Sequence, residues 1–369
     1  MKKKIAIIGA NESINHLIIT AKAKGYETHV FAWKSGDIGE ENADFFYPIS
    51  IDDKEAILKK CQEIKPDGVA SITSDFAVNT VNYVARNLNL RCNSEKTDSV
   101  ARNKYMMRCA LKQAGLFTPW FIKVSDFASL DLSTLPNFPL IVKPTDRWSS
   151  KGVSCARNIE ELKKAVEYAT KESLCGDAII EEFMEGPEYS CECISFDGNH
   201  RILAFTQKIT TGFPHYIETG HNQPSNIEES VIKDFSPLIL KALNAMDIKN
   251  GASHVEFRIL DGNKLGIIEI GARMGGDNIG TDLVKLSTGM DFVGMVADIA
   301  CNTAPDFTVF YQPKKARVRF ILTETDMQKL EDIKRENPSS IVRISEIEPI
   351  GTREVTDSST RFGYYIYTE

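Results

Sequence analysis

Short apolar runs alternate with amphipathic stretches along the first 95 residues. Residues 4–9 form an apolar run ending in Gly9, which reads as a strand. Residues 16–24 set Leu17, Ile18 and Ala21 at helical spacing, and Gly25 closes the helix. Residues 28–33 read as a second strand, 53–64 as a helix stopped ahead of Pro66, 68–73 as a third strand and 77–88 as a third helix. Strands alternating with helices at this pace predict a parallel α/β sheet with right-handed crossovers. The first turn, Gly9-Ala10-Asn11-Glu12-Ser13-Ile14, keeps only the first glycine of GxGxxG, so a dinucleotide site is not indicated.

The pattern then changes. Residues 99–115 read as one helix, with Pro119 breaking the chain beyond it. Residues 140–143 form a strand ending in Lys-Pro, 158–170 a helix and 178–183 a strand. Two hairpins follow, 189–196 with 200–207 across Asp197-Gly198-Asn199, and 251–260 with 264–270 across Asp261-Gly262-Asn263. Between them, residues 210–224 lack periodicity and read as a functional loop, and 228–246 as a long helix. A glycine-rich stretch, 271–280, precedes a helix at 291–301; from 316 on, short strands alternate with a helix near 325–336. The class is therefore α/β, passing to α+β in the later part.

Composition narrows the function. At 369 residues the chain has room for two or three domains. Lys and Arg number 44 against 51 Asp and Glu, a net charge of −7, which argues against a nucleic-acid partner. No stretch is long and apolar enough for a membrane span, and the N-terminal apolar run stops at Asn11-Glu12, too short for a signal peptide; a cytoplasmic protein is expected. Eight cysteines are too dilute for a disulfide scaffold. Cys191 and Cys193 are expected on opposite faces of a strand, which leaves no cysteine metal site.

Three segments carry candidate chemistry. In the second hairpin, Glu256 and Glu269 each interrupt an apolar strand, which is costly unless the carboxylate is paired or metal-bound. They lie 13 residues apart about a midpoint of 262.5, next to Gly262, so they should sit nearly opposite each other. Two adjacent carboxylates attract a cation, and hard oxygen ligands favour Mg²⁺ or Mn²⁺; the competing reading is a Glu facing solvent. Lys143 ends a strand ahead of the polar loop Ser149-Ser150-Lys151-Gly152, whose backbone N–H groups suit phosphate, or which is a plain surface loop. The acid-rich connector from Glu181 through Phe183 and Met184 to Glu188 offers an apolar face for adenine and a carboxylate for ribose, or is a solvated link. Arg273, just past the second hairpin, suits a phosphate or a carboxylate. Arg317 and Arg319 alternate along a later strand and are expected to be solvated.

The order of these segments, behind a nucleotide-type parallel sheet, resembles the ATP-grasp superfamily, and more narrowly the carboxylate–amine ligases typified by bacterial L-amino acid ligases. The resemblance covers roughly residues 1–301. It implies a Rossmann-like pre-ATP-grasp domain at 1–95 and an ATP-grasp domain at 96–305, with a lid at about 118–184 and a central part at about 185–305. A C-terminal closing lobe would follow at 306–369. It implies ATP and Mg²⁺ (or Mn²⁺) as cofactors. Lys104 and Lys143 match phosphate-binding lysines, and Ser149, Ser150 and Gly152 a loop closing over the γ-phosphate. Glu181 and Phe183 match the adenine-reading linker, Glu188 the ribose acid, and Glu256 and Glu269 the metal carboxylates. Arg273 matches the arginine that steadies the transferred phosphoryl group, and Lys143 with Arg273 would be catalytic. Glu218 and His221 match a loop near the acceptor site and are, with Arg273, the substrate-side candidates. Many members read Glu-x-Asn-x-Arg, whereas here Gly271 stands at the Asn position and removes one metal-binding oxygen.

The expected activity is therefore an ATP-dependent ligase that makes an acyl-phosphate from a small carboxylate and joins it to an amine (or thiol). Family habit adds a homodimer through the first domain. Alternatives are a carbamoyl-phosphate-synthase-like or purine-pathway ligase, or a non-catalytic ATP-binding sensor.

Overall fold

The N-terminal strands are apolar because both faces of their sheet are covered. The computed structural model describes residues 2–147, 151–212, 216–351 and 353–369. β1 (Lys4–Ile8), α1 (Glu12–Ala23), β2 (Glu27–Phe31), α2 (Ile38–Asn42), β3 (Phe45–Tyr47), α3 (Lys54–Ile64), β4 (Gly68–Ala70) and α4 (Asp75–Asn87) alternate in chain order. The strands form a parallel sheet in the order β3-β2-β1-β4. Ile5 and Ile7 pack on one face with Leu17 and Ile18 of α1; Ala6 and Ile8 pack on the other with Ile57 and Val84. The elements α2 and β3 escaped the sequence reading because each is too short to show a period.

The stretch read as one helix at 99–115 is two: α5 (Glu95–Arg102) and α6 (Lys104–Gln113). Asn103 separates them in an extended conformation, and its side chain accepts from the Met106 N–H. An amide able to cap the second helix wins over continuation of the first.

A small sheet follows, of β5 (Phe121–Val124), β6 (Leu140–Pro144), β7 (Ser154–Ala156) and β8 (Ala178–Glu182), backed by α7 (Ile159–Glu172). Its order is β5-β8-β6-β7, and Val142 and Ile180 share a core with Leu162 and Val166 of α7.

The large sheet has the order β13-β12-β9-β10-β11-β14-β16-β15. Its strands are β9 (Glu188–Phe196), β10 (Asn199–Thr210), β11 (Glu218–Gln223), β12 (Gly251–Leu260), β13 (Lys264–Gly271), β14 (Ala316–Ile321), β15 (Ile341–Ile344) and β16 (Gly363–Thr368). Both predicted hairpins are present. β11 falls inside the stretch read as a loop at 210–224 and corrects that reading. Its sequence, ETGHNQ, has no apolar alternation, but it is paired on both sides, and its polar groups are engaged. The Gln223 amide donates to Thr206 Oγ1 at 2.7 Å and the Asn222 amide to Gln207 Oε1 at 2.9 Å. Tertiary pairing thus overrides weak strand propensity.

α8 (Glu229–Ala245) packs on this sheet with α6 through Phe235, Ile239, Met107 and Leu111. A π-helical turn at Ile279–Leu283 leads to α9 (Val284–Thr288) and α10 (Phe292–Ala300), the last packed into the core of the N-terminal sheet. Neither the turn nor α9 was read from sequence. α11 (Glu324–Glu336) stands near the helix expected at 325–336. Cys191 and Cys193 share a face, with sulfurs 3.6 Å apart, because residues two apart on a strand point the same way. Arg317 and Arg319 are not free in solvent: the first donates to Glu369 at 2.6 Å, the second to Asn222 at 2.7 Å. Among the described residues no helix is long and apolar enough to cross a membrane.

Candidate active site

A cavity of about 170 Å³ lies between the small and the large sheet. Eight of the predicted site residues line it: Lys104, Lys143, Glu181, Phe183, Glu188, Glu218, Glu256 and Glu269.

Strand alternation aims Lys143. Val142 is turned into the small-sheet core, so Lys143 faces the cavity, where its Nζ lies 2.6 Å from Glu181 Oε2. Arg108, fully buried on α6, donates through Nε to the same carboxylate. Its other nitrogens donate to the carbonyls of Ile267 at 2.6 Å and Ile268 at 3.2 Å on β13. Arg108, Glu181 and Lys143 therefore bridge the two sheets. Burial alone would raise the Glu181 pKa; the two cations outweigh it and bring the carboxyl down to about 2. Glu181 is in the ladder with both β5 and β6, and the Phe183 N–H donates to the Pro139 carbonyl at 3.3 Å. For a flat base this connector offers the Phe183 ring, tilted against Tyr216 at 6.2 Å, with Arg258 5.0 Å from Phe183.

Glu256 and Glu269 are direct partners in the β12–β13 register, as the turn at Gly262 predicted, with a bulge immediately after Glu256. Glu269 Oε1 lies 3.3 Å from Lys104 Nζ, which also donates to the Arg147 carbonyl at 2.5 Å. Glu256 Oε1 lies 3.1 Å from Lys208 Nζ and 3.0 Å from His254 Nε2. His254 also engages the buried Glu192; burial opposes its charge, but the two carboxylates prevail and raise its pKa to about 9. Lys208 reaches Glu188 at 3.0 Å and Glu218 at 3.5 Å as well. One ammonium thus holds three carboxylates together, and they keep it charged against burial.

Paired hard oxygens facing one cavity fit a divalent cation whose other ligands come from phosphate and water. Among the described residues no group of three or more His, Cys, Asp or Glu side chains forms a metal cluster.

Among the described candidates, Arg273, His221 and Gly152 lie outside the cavity lining. Arg273 donates to Asp75 Oδ2 at 2.8 Å and to the Met274 carbonyl at 2.9 Å, while its Nε is buried without a partner. His221 is 1% exposed, edge-on to Phe320. Glu218, within the lining, accepts from Ser358 Oγ at 3.1 Å. Gly152 has φ +77°, and a Cβ there would stand 2.5 Å from Pro144, so its place in the loop requires glycine. Ser149 and Ser150 lie outside the described residues.

Sequence reasoning missed Lys208, Arg108, Asp75 and Arg258. One left a signal. Arg108 lies three residues before Leu111 on the buried face of α6. A charge on an apolar face calls for a buried partner.

Residues 136–282 match the family model of the ATP-grasp domain. Alanine–anticapsin ligase of Bacillus subtilis is 26% identical over 311 residues, covering 73% of this chain and 63% of that protein, so the chain spans less than two thirds of that relative. A formate-dependent phosphoribosylglycinamide formyltransferase of Prochlorococcus marinus (strain MIT 9515) is 26% identical over 273 residues, covering 70% and 66%. The crystal structure of an L-amino acid ligase from Bacillus licheniformis superposes with a TM-score of 0.83 at 24% identity, covering 100% of this chain and 93% of that one.

Proposed function

We propose that this chain, which has the ATP-grasp fold and carries an ATP-grasp domain over residues 136–282, is an ATP-dependent ligase joining a small-molecule carboxylate to an amine. The observation that carries the reading is Glu256 opposite Glu269 on the cavity wall, with Lys104, Lys143 and Lys208 lining the same cavity. A carboxylate is a poor electrophile. The γ-phosphoryl group passes from ATP to a carboxylate oxygen, and ADP leaves with the electrons of the broken P–O bond. The amine nitrogen then attacks the acyl carbon, phosphate departs, and the amine gives up a proton.

Catalysis of such a transfer is positioning and charge neutralisation. Glu256 and Glu269 would hold Mg²⁺, which supplies Lewis-acid charge neutralisation when bound. Lys104 and Lys143 offset phosphate charge. Phe183 and Met184 give adenine an apolar face, and Glu188 accepts from the ribose hydroxyls. The loop containing Gly152 keeps water from the acyl-phosphate. Arg273 neutralises the transferred phosphoryl group.

The test is ADP and phosphate release from Mg-ATP with amino acids singly and in pairs, with product mass, and Glu269→Ala as control. Release that needs a pair and is lost in the variant supports the ligase. Release with a phosphorylated ribosylamine would move the assignment to a purine-type reaction, and ATP binding without release to a sensor.

A further inference from the structure

Arg258 and Glu188 are direct partners in the β12–β9 ladder, and both line the cavity. Arg258 Nη2 donates to Glu188 Oε2 at 3.1 Å, and its Nη1 donates to the Met184 carbonyl at 3.0 Å. One guanidinium thus ties the acid at the start of β9 to the connector that precedes it. The two side chains are only 13% and 16% exposed, so little water competes for the contact.

Two glycines bring the connector down onto Arg258. Gly186 has φ +145°, and a Cβ there would run into the Ile259 carbonyl. The Ile259 N–H donates to the Pro187 carbonyl at 3.2 Å. Gly266 is the partner of Arg258 on β13, and a Cβ there would stand 2.9 Å from Met184 Sδ. A side chain at either position would lift the connector off the hairpin and away from the guanidinium.

Two rings hold the guanidinium in place. It lies 5.0 Å from the Phe183 ring and 5.6 Å from the Tyr216 ring, and the rings are 6.2 Å apart, so the three groups close a triangle. Tyr216 has φ 49°, which a bulky residue keeps only where its surroundings fix it. A lysine would not replace this arginine. An ammonium is a point charge with no plane to stack, whereas the planar fork meets two acceptors at a fixed spacing.

Lys208 stands 3.0 Å from Glu188 Oε1, but it divides its charge among three carboxylates. The direction of Oε2 therefore falls to Arg258. Each carboxylate oxygen has two lone pairs, so Glu188 can hold both cations and still accept from a hydroxyl.

We propose that Arg258 is a positioning residue that sets the preference for a ribonucleotide. By tying Glu188 to the Met184 carbonyl, it holds the carboxylate at the ribose hydroxyls when the base lies on Phe183. The inference rests on the ligase reading, in which ATP fills this cavity.

The full chain with Mg²⁺ is titrated calorimetrically with ADP and with 2′,3′-dideoxy-ADP, which differ only in the ribose hydroxyls. The wild type should bind ADP about tenfold or more tighter, as hydrogen bonds to a charged group allow. Arg258→Met should weaken ADP to the level of the dideoxy nucleotide and leave the latter unchanged within error, which a collapsed pocket would not do. Arg258→Lys keeps the charge without the fork and should lose most of the preference too; it carries the test if the first variant does not fold. A preference kept in both variants, or equal weakening of the two nucleotides in both, overturns the proposal. A preference lost in Glu188→Gln but kept in both Arg258 variants also overturns it and leaves Glu188 as the ribose acid. No preference in the wild type removes the ribose role of Glu188 and the proposal together. ADP and phosphate release with paired substrates, measured alongside, keeps the two readings apart. Release without a ribose preference leaves the ligase standing and overturns the proposal. An Arg258-dependent preference without release sinks the ligase and leaves Arg258 in its role.

Discussion

Asp75, the first residue of α4, holds Arg273 at 2.8 Å from the far side of a sheet boundary. The acid opens a helix packed on the N-terminal parallel sheet, and the arginine follows the last strand of the β12–β13 hairpin. The contact ties the first unit to the arginine proposed to neutralise the phosphoryl group, outside the lining of the cavity proposed for the nucleotide.

On the ligase reading Asp75 would be a positioning residue for Arg273. Asp75→Asn should lower kcat roughly ten- to hundredfold, because a displaced catalytic group loses alignment. Nucleotide affinity, set at that cavity, should stay within error. Steady-state ADP release and nucleotide titration of the same variant read both; equal loss in both would mean that Asp75 serves only the fold.

Glu269→Gln and Glu256→Gln should each lower turnover by about a hundredfold or more, since the metal contribution is several kcal/mol. The Mg²⁺ concentration for half-maximal activity should rise in both. A variant with an unchanged Mg²⁺ dependence would remove that carboxylate from the metal site.

Lys208→Met leaves Glu188, Glu218 and Glu256 without their shared cation. Removing one partner from a buried ionic cluster costs about 3–5 kcal/mol. A divalent cation can take the place of the ammonium between these oxygens, so Mg²⁺ should raise the Tm of the variant more than that of the wild type. Thermal unfolding with and without Mg²⁺ checks this; equal shifts would show that Lys208 and the metal act at separate places.

Glu181 makes stability depend on acid pH. Its carboxyl is at about 2 in the folded chain against an ordinary 4.5, so the unfolded chain takes up the proton first as pH falls. Its contribution is complete above pH 4.5, declines below it, and is gone once pH passes below about 2. Urea midpoints between pH 5 and pH 3, taken to bracket the start of this window, should fall for the wild type more steeply than for Glu181→Gln. Parallel slopes in the two proteins would dismiss Glu181 as the source.

Local signals in the chain were sufficient for the parallel α/β beginning, the two Asp-Gly-Asn hairpins and the pairing of Glu256 with Glu269. A turn residue sets hairpin register within a few positions, and alternation does the rest. Tertiary structure alone decided that the polar segment of β11 enters the large sheet, because both its ladders pair with strands that carry no local mark of it. It likewise decided that Arg108 and Lys208 would be buried cations and that Asp75 would meet Arg273. These contacts join residues up to about two hundred positions apart. Hydrophobic periodicity reports which way a side chain faces; it carries no information about which distant charge lies opposite.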